Sequence, residues 1–219
     1  DNIMWQSSST VAGTFSVNGQ EYQAYTIEVS DIVRRRGSFS FMVMQRYKDE
    51  EAAEIATREA GDALAPKLTI QYDNKSATFT ASKDTYVGTD DMDLGHGSEQ
   101  SMLVKESIDS DQSNPYWRLF GDETKRAYMQ FGVRGLDRNT TIDSAFITIY
   151  ARSQGEKTDL VMWRHSVTIW DEAEFCWNTS QQNILSFNGT EADFENLPAG
   201  VMGFESGLEN NTARYQWAT

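Results

Sequence analysis

Ala145-Phe146-Ile147-Thr148-Ile149-Tyr150 is short, β-branched and aromatic, and bounded by polar residues, so it reads as a β-strand. The same signature recurs along the chain at Tyr25–Val29, Ser38–Met44, Lys67–Tyr72, Met102–Lys105, Ala127–Phe131 and His165–Trp170. Most of these segments alternate apolar with polar residues, which places one face on a core and one on solvent. Clusters of Gly, Asn, Asp and Ser separate them, as at Gly88–Asp93 and Gly121–Glu123. Helix signals are thin. Lys48–Ala60 reads as a loop with one helical turn entering a short strand near Ile55, and Ser30–Val33 as a single turn. Seven or more strands with little helix make an all-β sandwich of the jelly-roll type. Ser180–Tyr215, with few strand signals, reads as a long loop or an excursion from the sandwich.

The 219 residues suffice for one large β domain or two small ones. With 39% hydrophobic and 12% aromatic residues the chain is globular, and its apolar runs are strand-sized, which argues against membrane insertion. Acidic residues outnumber basic ones 33 to 19, a net charge of −14 that repels phosphate backbones and excludes nucleic acid as a partner. The one basic run, Arg34-Arg35-Arg36, reads as a solvated turn. Cys176 is the single cysteine, so no intrachain disulfide forms, and its apolar neighbours make it a small buried hydrophobe. Five Asn-x-Ser/Thr sites, at Asn74, Asn139, Asn178, Asn188 and Asn210, exceed the about two expected by chance. The excess points to a glycosylated, extracellular or cell-surface protein.

From residue 83 onward a set of motifs resembles the DNRLRE domain family: Asp84-Thr85-Tyr86-Val87, then Gly95 and Gly97, then Leu103-Val104-Lys105. Arg126–Phe131, Ile142–Tyr150, Trp170-Asp171-Glu172 and Phe175-Cys176-Trp177-Asn178 follow in the order of that family, with Cys176 in place of its usual threonine. The closing motifs of the family stand before residue 73: Tyr25–Val33, Thr57-Arg58-Glu59 and Ala65–Tyr72. The resemblance implies a jelly-roll sandwich of secreted and cell-surface proteins, a family that includes carbohydrate-binding modules of polysaccharide-degrading enzymes.

The motif order is circularly permuted. Residues 1–73 resemble the closing strands and residues 74–219 the opening strands, so the chain starts mid-fold. An unfinished sandwich exposes an apolar face and unpaired edges. Completion comes either from within the chain, the two parts together making one domain, or from strands of a neighbouring repeat or subunit. Completion by a neighbour is head-to-tail and propagates into a filament or repeat array.

Catalysis has little support. His96 and His165 are the only histidines, and His165 reads as a buried, hydrogen-bonded strand residue. No nucleophile elbow or phosphate loop is present, and Asp171, Glu172 and Glu174 read as solvated charges or a turn cap. The chain is therefore expected not to be an enzyme. Asp90, Asp91 and Asp93, with Asp84 and Glu59 in motif positions, offer hard oxygen ligands for a structural Ca²⁺, or else form a solvated acidic loop. Tyr116-Trp117-Arg118, in a loop signal, and Trp163 are candidate sugar platforms, though Trp and Arg equally suit an interface. Trp5, Trp170 and Trp177 are expected in the core. The leading expectation is an adhesive module assembling end to end with copies of itself. The alternative is a polysaccharide-binding module of a secreted carbohydrate-active protein.

Overall fold

The computed structural model describes residues 10–46, 51–106, 123–155, 157–165 and 168–180, and the backbone of 202–207 and 212–217. Two antiparallel sheets stack into a sandwich of the jelly-roll type. The first has five strands in the order β1 (Val11–Asn18), β11 (Lys157–His165), β3 (Gly37–Gln45), β9 (Lys125–Val133) and β7 (Lys83–Gly88). The second centres on β10 (Ser144–Ser153). One edge of β10 pairs with β2 (Gln23–Glu28). Its other edge pairs first with β5 (Lys67–Tyr72) and then with β4 (Ala53–Ala56). Outside these lie β6 (Lys75–Thr80), paired with β5, and β8 (Ser101–Val104), paired with β4.

Strands from before residue 73 and after it share both sheets. β3 lies between β11 and β9, and β10 lies between β2 and the β5–β4 pair. The two motif blocks thus hydrogen-bond to one another within the chain.

Alternation decides which side chains meet. On β10, Ala145, Ile147, Ile149 and Ala151 are buried, while Phe146, Thr148, Tyr150 and Arg152 are half-exposed on the opposite face. The buried set joins Leu68 and Ile70 of β5, Ile55 of β4 and Met102 of β8. Facing them are Phe41 and Val43 of β3, Met129 and Phe131 of β9, and Leu160 and Met162 of β11. The β5–β6 hairpin turns through Asp73 (φ 47°) and Asn74 (φ 58°), two left-handed residues whose short polar side chains tolerate a tight two-residue turn.

A second cluster forms on the outside of the first sheet. Met42, Val87 and Tyr128 point away from the main core and pack with Trp170, Phe175 and Trp177 from the segment that follows β11. Phe175 lies edge-on to Tyr128, with ring centroids 4.9 Å apart. Such aromatic side chains each hide about 150–250 Å² of surface. Over β3, β9 and β7 the first sheet is therefore covered on both faces.

Two expectations are corrected. His165–Trp170 is not a strand: β11 runs from Lys157 and ends at His165, and Trp170 folds back onto the sheet because that face is apolar and uncovered. Of the two readings of 180–215, the loop gives way to the excursion, since Met202–Gly207 (β12) and Thr212–Trp217 (β13) pair as a hairpin. The short strand expected near Ile55 is β4, and a 3₁₀ turn at Arg58–Ala60 follows it, where the helical turn was expected to lead into it. Arg34, Arg35 and Arg36 are all exposed, and Cys176 is buried.

Candidate functional site

Three groups of chemically equipped residues stand out, and the fold assigns them different tasks. The first surrounds Arg58. Its Nε donates to Glu59 Oε1 at 3.0 Å, its Nη2 to Glu172 Oε2, and its Nη1 to the Ser82 carbonyl. Its backbone N–H donates to Asp84 Oδ2 at 3.1 Å, and the Asp84 N–H donates to Glu172 Oε1 at 2.6 Å. Asp84 is fully buried. Burial, with Glu59 and Glu172 nearby, pushes its carboxyl up to about 7 against the opposing pull of Arg58. Glu172 is thus no solvated charge, as its neighbours suggested; it clamps Arg58 and β7 together. Asp171 does cap a turn, accepting from the Ala173 N–H at 3.0 Å.

The second group is the acidic loop after β7. Asp90 lies 2.8 Å from Lys125 Nζ, Asp91 2.8 Å from His96 Nε2, and Asp93 accepts from Asn178 Nδ2 at 2.8 Å. His96 is stacked on Tyr86 with ring centroids 3.9 Å apart, and its Nδ1 is 2.6 Å from Glu99 Oε1. Burial, then the Glu99 and Asp91 charges, pushes the Tyr86 phenol up. At Gly97 a Cβ would lie 2.3 Å from Glu172 Cγ, so a side chain there would break the packing of the loop on the 171–178 segment. The five calcium candidates are thereby divided. Glu59 pairs with the Arg58 guanidinium, Asp84 accepts from the Arg58 backbone N–H, and the three loop aspartates turn to three separate partners. Among the described residues no group of three or more His, Cys, Asp or Glu side chains is placed to hold a metal ion.

The third group lies on the outer face of the second sheet. Thr69 and Thr78 bond across β5 and β6 at 3.1 Å, and Thr26 and Thr148 across β2 and β10 at 3.2 Å. Phe146 and Tyr150, both half-exposed, stand on either side of Thr148 on one strand, four residues and roughly 13 Å apart, with Glu28 and Thr69 opposite Phe146 and Lys67 opposite Thr148. At the end of the row Arg152 donates through Nε (3.0 Å) and Nη2 (2.7 Å) to Glu54 Oε2, and Gln154 Nε2 donates to Glu54 Oε1 at 2.9 Å. The guanidinium stands 4.8 Å over the Tyr22 ring, whose hydroxyl donates to Glu54 Oε2 at 3.4 Å. Burial raises the Glu54 carboxyl, but the bonds from Gln154 and Arg152 outweigh it and hold it below its ordinary value.

Of the candidate sugar platforms, Tyr116, Trp117 and Arg118 lie outside the described residues. Trp163 is half-buried against the second cluster on the covered sheet. His165 is buried edge-on to Tyr128, with centroids 5.2 Å apart. Trp170 and Trp177 are buried, but in the outer cluster rather than between the sheets; Trp5 lies outside the described residues. Asn74 and Asn139 are exposed. Asn178 is half-buried, with its amide engaged by Asp93, and Asn188 and Asn210 lie outside the described residues.

The model of carbohydrate-binding module family 96 matches residues 75–190, just over half of the chain. The chain belongs to that family. No curated protein matches it. The family-96 stretch carries β6–β11 and the aromatic segment that covers the first sheet. Residues 11–72, outside the match, supply β1–β5. Membership is in a family of binding modules and not of catalysts, and it favours the alternative expectation over end-to-end assembly, which gains no support. Among the described residues no helix is long and apolar enough to cross a membrane.

Proposed function

We propose that this family-96 chain is the polysaccharide-binding module of a secreted carbohydrate-active protein, and that it binds through the outer face of the second sheet. One observation carries the choice of face. The first sheet is covered on both sides over β3, β9 and β7, whereas the second presents half-exposed Phe146 and Tyr150 beside threonine hydroxyls. Sugar rings present C–H faces that stack on aromatic rings and hydroxyls that exchange hydrogen bonds with polar neighbours, so such a surface suits them. The resemblance to the DNRLRE family, which includes such modules on polysaccharide-degrading enzymes, points the same way. The exposed Asn74 and Asn139 sequons fit an extracellular setting.

Affinity electrophoresis through gels containing soluble polysaccharides, with pull-down on insoluble ones, tests this reading. Retardation by at least one polysaccharide, weakened by Tyr150→Ala with melting unchanged, is the expected result. Retention of full binding by Tyr150→Ala, with loss on Trp117→Ala, would move the site to the 116–118 segment. Absence of binding to every polysaccharide would remove the function.

A further inference from the structure

We infer that Asn74 and Asn139 carry N-linked glycans, and that Asn178, although its Asn-x-Ser motif is complete, carries none. The inference rests on the secreted setting of the proposed function and not on its sugar-binding face.

N-glycosylation joins the side-chain nitrogen of asparagine to the anomeric carbon of an oligosaccharide carried on a lipid pyrophosphate. The N–C bond forms and the C–O bond to phosphate breaks. The lipid pyrophosphate leaves with that electron pair, and the amide gives up one proton. An acceptor site must therefore present a free Nδ2, with the hydroxyl two residues on within the same reach.

The fold separates three motifs that the sequence makes equal. Asn74 stands in the two-residue turn between β5 and β6, in the left-handed conformation with φ 58°. Residues 73–76 are all exposed, Ser76 with its hydroxyl among them. Asn139 lies in the connection from β9 to β10, where the Thr140 N–H closes a turn on the Asp137 carbonyl at 3.2 Å. Asn139 and Thr141, the two ends of its motif, are exposed. Neither asparagine side chain has a hydrogen-bond partner among the described residues. A glycan at either place displaces only water.

Both turns stand at the end of the sandwich where β10 begins. The Asp143 N–H donates to the Gln71 carbonyl at 2.8 Å, which holds the β9–β10 connection beside the β5–β6 hairpin.

Asn178 is placed differently at every point of its motif. Its Nδ2 donates to Asp93 Oδ1 at 2.8 Å, and its backbone N–H to the Met92 carbonyl at 3.0 Å. The hydroxyl of Ser180, a residue only 2% exposed, donates to the Trp177 carbonyl at 2.8 Å. Trp177 itself is fully buried. A sugar on Nδ2 would have to enter where the acidic loop packs on this segment. That contact is tight: a Cβ added at Gly95 would lie 2.5 Å from the Ala173 carbonyl oxygen. The folded chain has no room for a glycan here.

The test secretes the full chain from yeast or insect cells behind a signal leader and reads each site by mass spectrometry of tryptic and chymotryptic glycopeptides. Asn74 and Asn139 are expected to be occupied in most molecules and Asn178 bare. Ser76→Ala and Thr141→Ala keep both asparagines in place, so each should remove one glycan from the intact mass and leave melting unchanged. A bare Asn74 or Asn139 in the wild type overturns the assignment of that site. A glycan on Asn178 in the folded, secreted protein overturns its exclusion. Polysaccharide retardation of the same material keeps the two readings apart. Glycans without polysaccharide binding remove the proposed function and leave this inference, and binding by a chain with bare asparagines does the reverse.

Discussion

The backbone N–H of Arg58 donates to Asp84 Oδ2 across 3.1 Å, joining the turn after β4 to the buried start of β7. It ties the two motif blocks together with a carboxyl that takes up a proton near neutral pH. The folded carboxyl titrates at about 7, above its ordinary value of 3.8. The stabilisation linked to its proton is complete below the lower value and lost as pH rises through the upper one. The melting temperature of the wild type should therefore fall between about pH 4 and 7 relative to that of Asp84→Asn. A constant difference between the two proteins across that window would contradict the assignment.

Removing the Arg58 side chain leaves Glu59 and Glu172 without their shared cation, beside the buried Asp84. Arg58→Ala should cost about 2–3 kcal/mol, below the full cost of breaking a buried pair because its side chain is 30% exposed. A double-mutant cycle with Glu172→Gln measured by urea unfolding should show strong coupling. Additive losses would mean that the two residues act separately.

Trp177 is fully buried in the cluster outside the first sheet, with the Arg126 guanidinium 5.4 Å from its ring. Trp177→Ala should cost about 3–5 kcal/mol and expose that face to the dye ANS. A loss below about 1 kcal/mol would show that the aromatic cover is dispensable.

Each loop aspartate already has a partner: Lys125 for Asp90, His96 for Asp91 and Asn178 for Asp93. Melting in calcium and in chelator should accordingly coincide. A rise of several degrees with calcium, abolished by Asp91→Asn, would show that the cation replaces these partners.

Legibility in the sequence followed the range of the interactions. Lys67–Tyr72 is found with the bounds read from its alternation, and Ala145–Tyr150 as the middle of β10, because period-two patterns are local. The strand reading of His165–Trp170 failed because Trp170 obeys a tertiary demand: an apolar sheet face that no local pattern announces. Phe146 and Tyr150 were visible as outward members of an alternation, and two aromatics at solvent positions were the available signal. Glu54, Arg152 and Tyr22 were not legible. Their meeting depends on the pairing of β10 with β2 and β4, and residue spacing carries no trace of that register.

The interleaving of the two blocks has a consequence for how this protein can vary. Glu54 comes from the part outside the family match and Arg152 from inside it, yet neither is satisfied alone. A protein trimmed to residues 75–190 would lack β1–β5, keeping β10 without either neighbour and losing the carboxylate that holds Arg152. A substitution at either residue therefore strands its partner in the other block, about a hundred positions away, so the two blocks vary together at this pair.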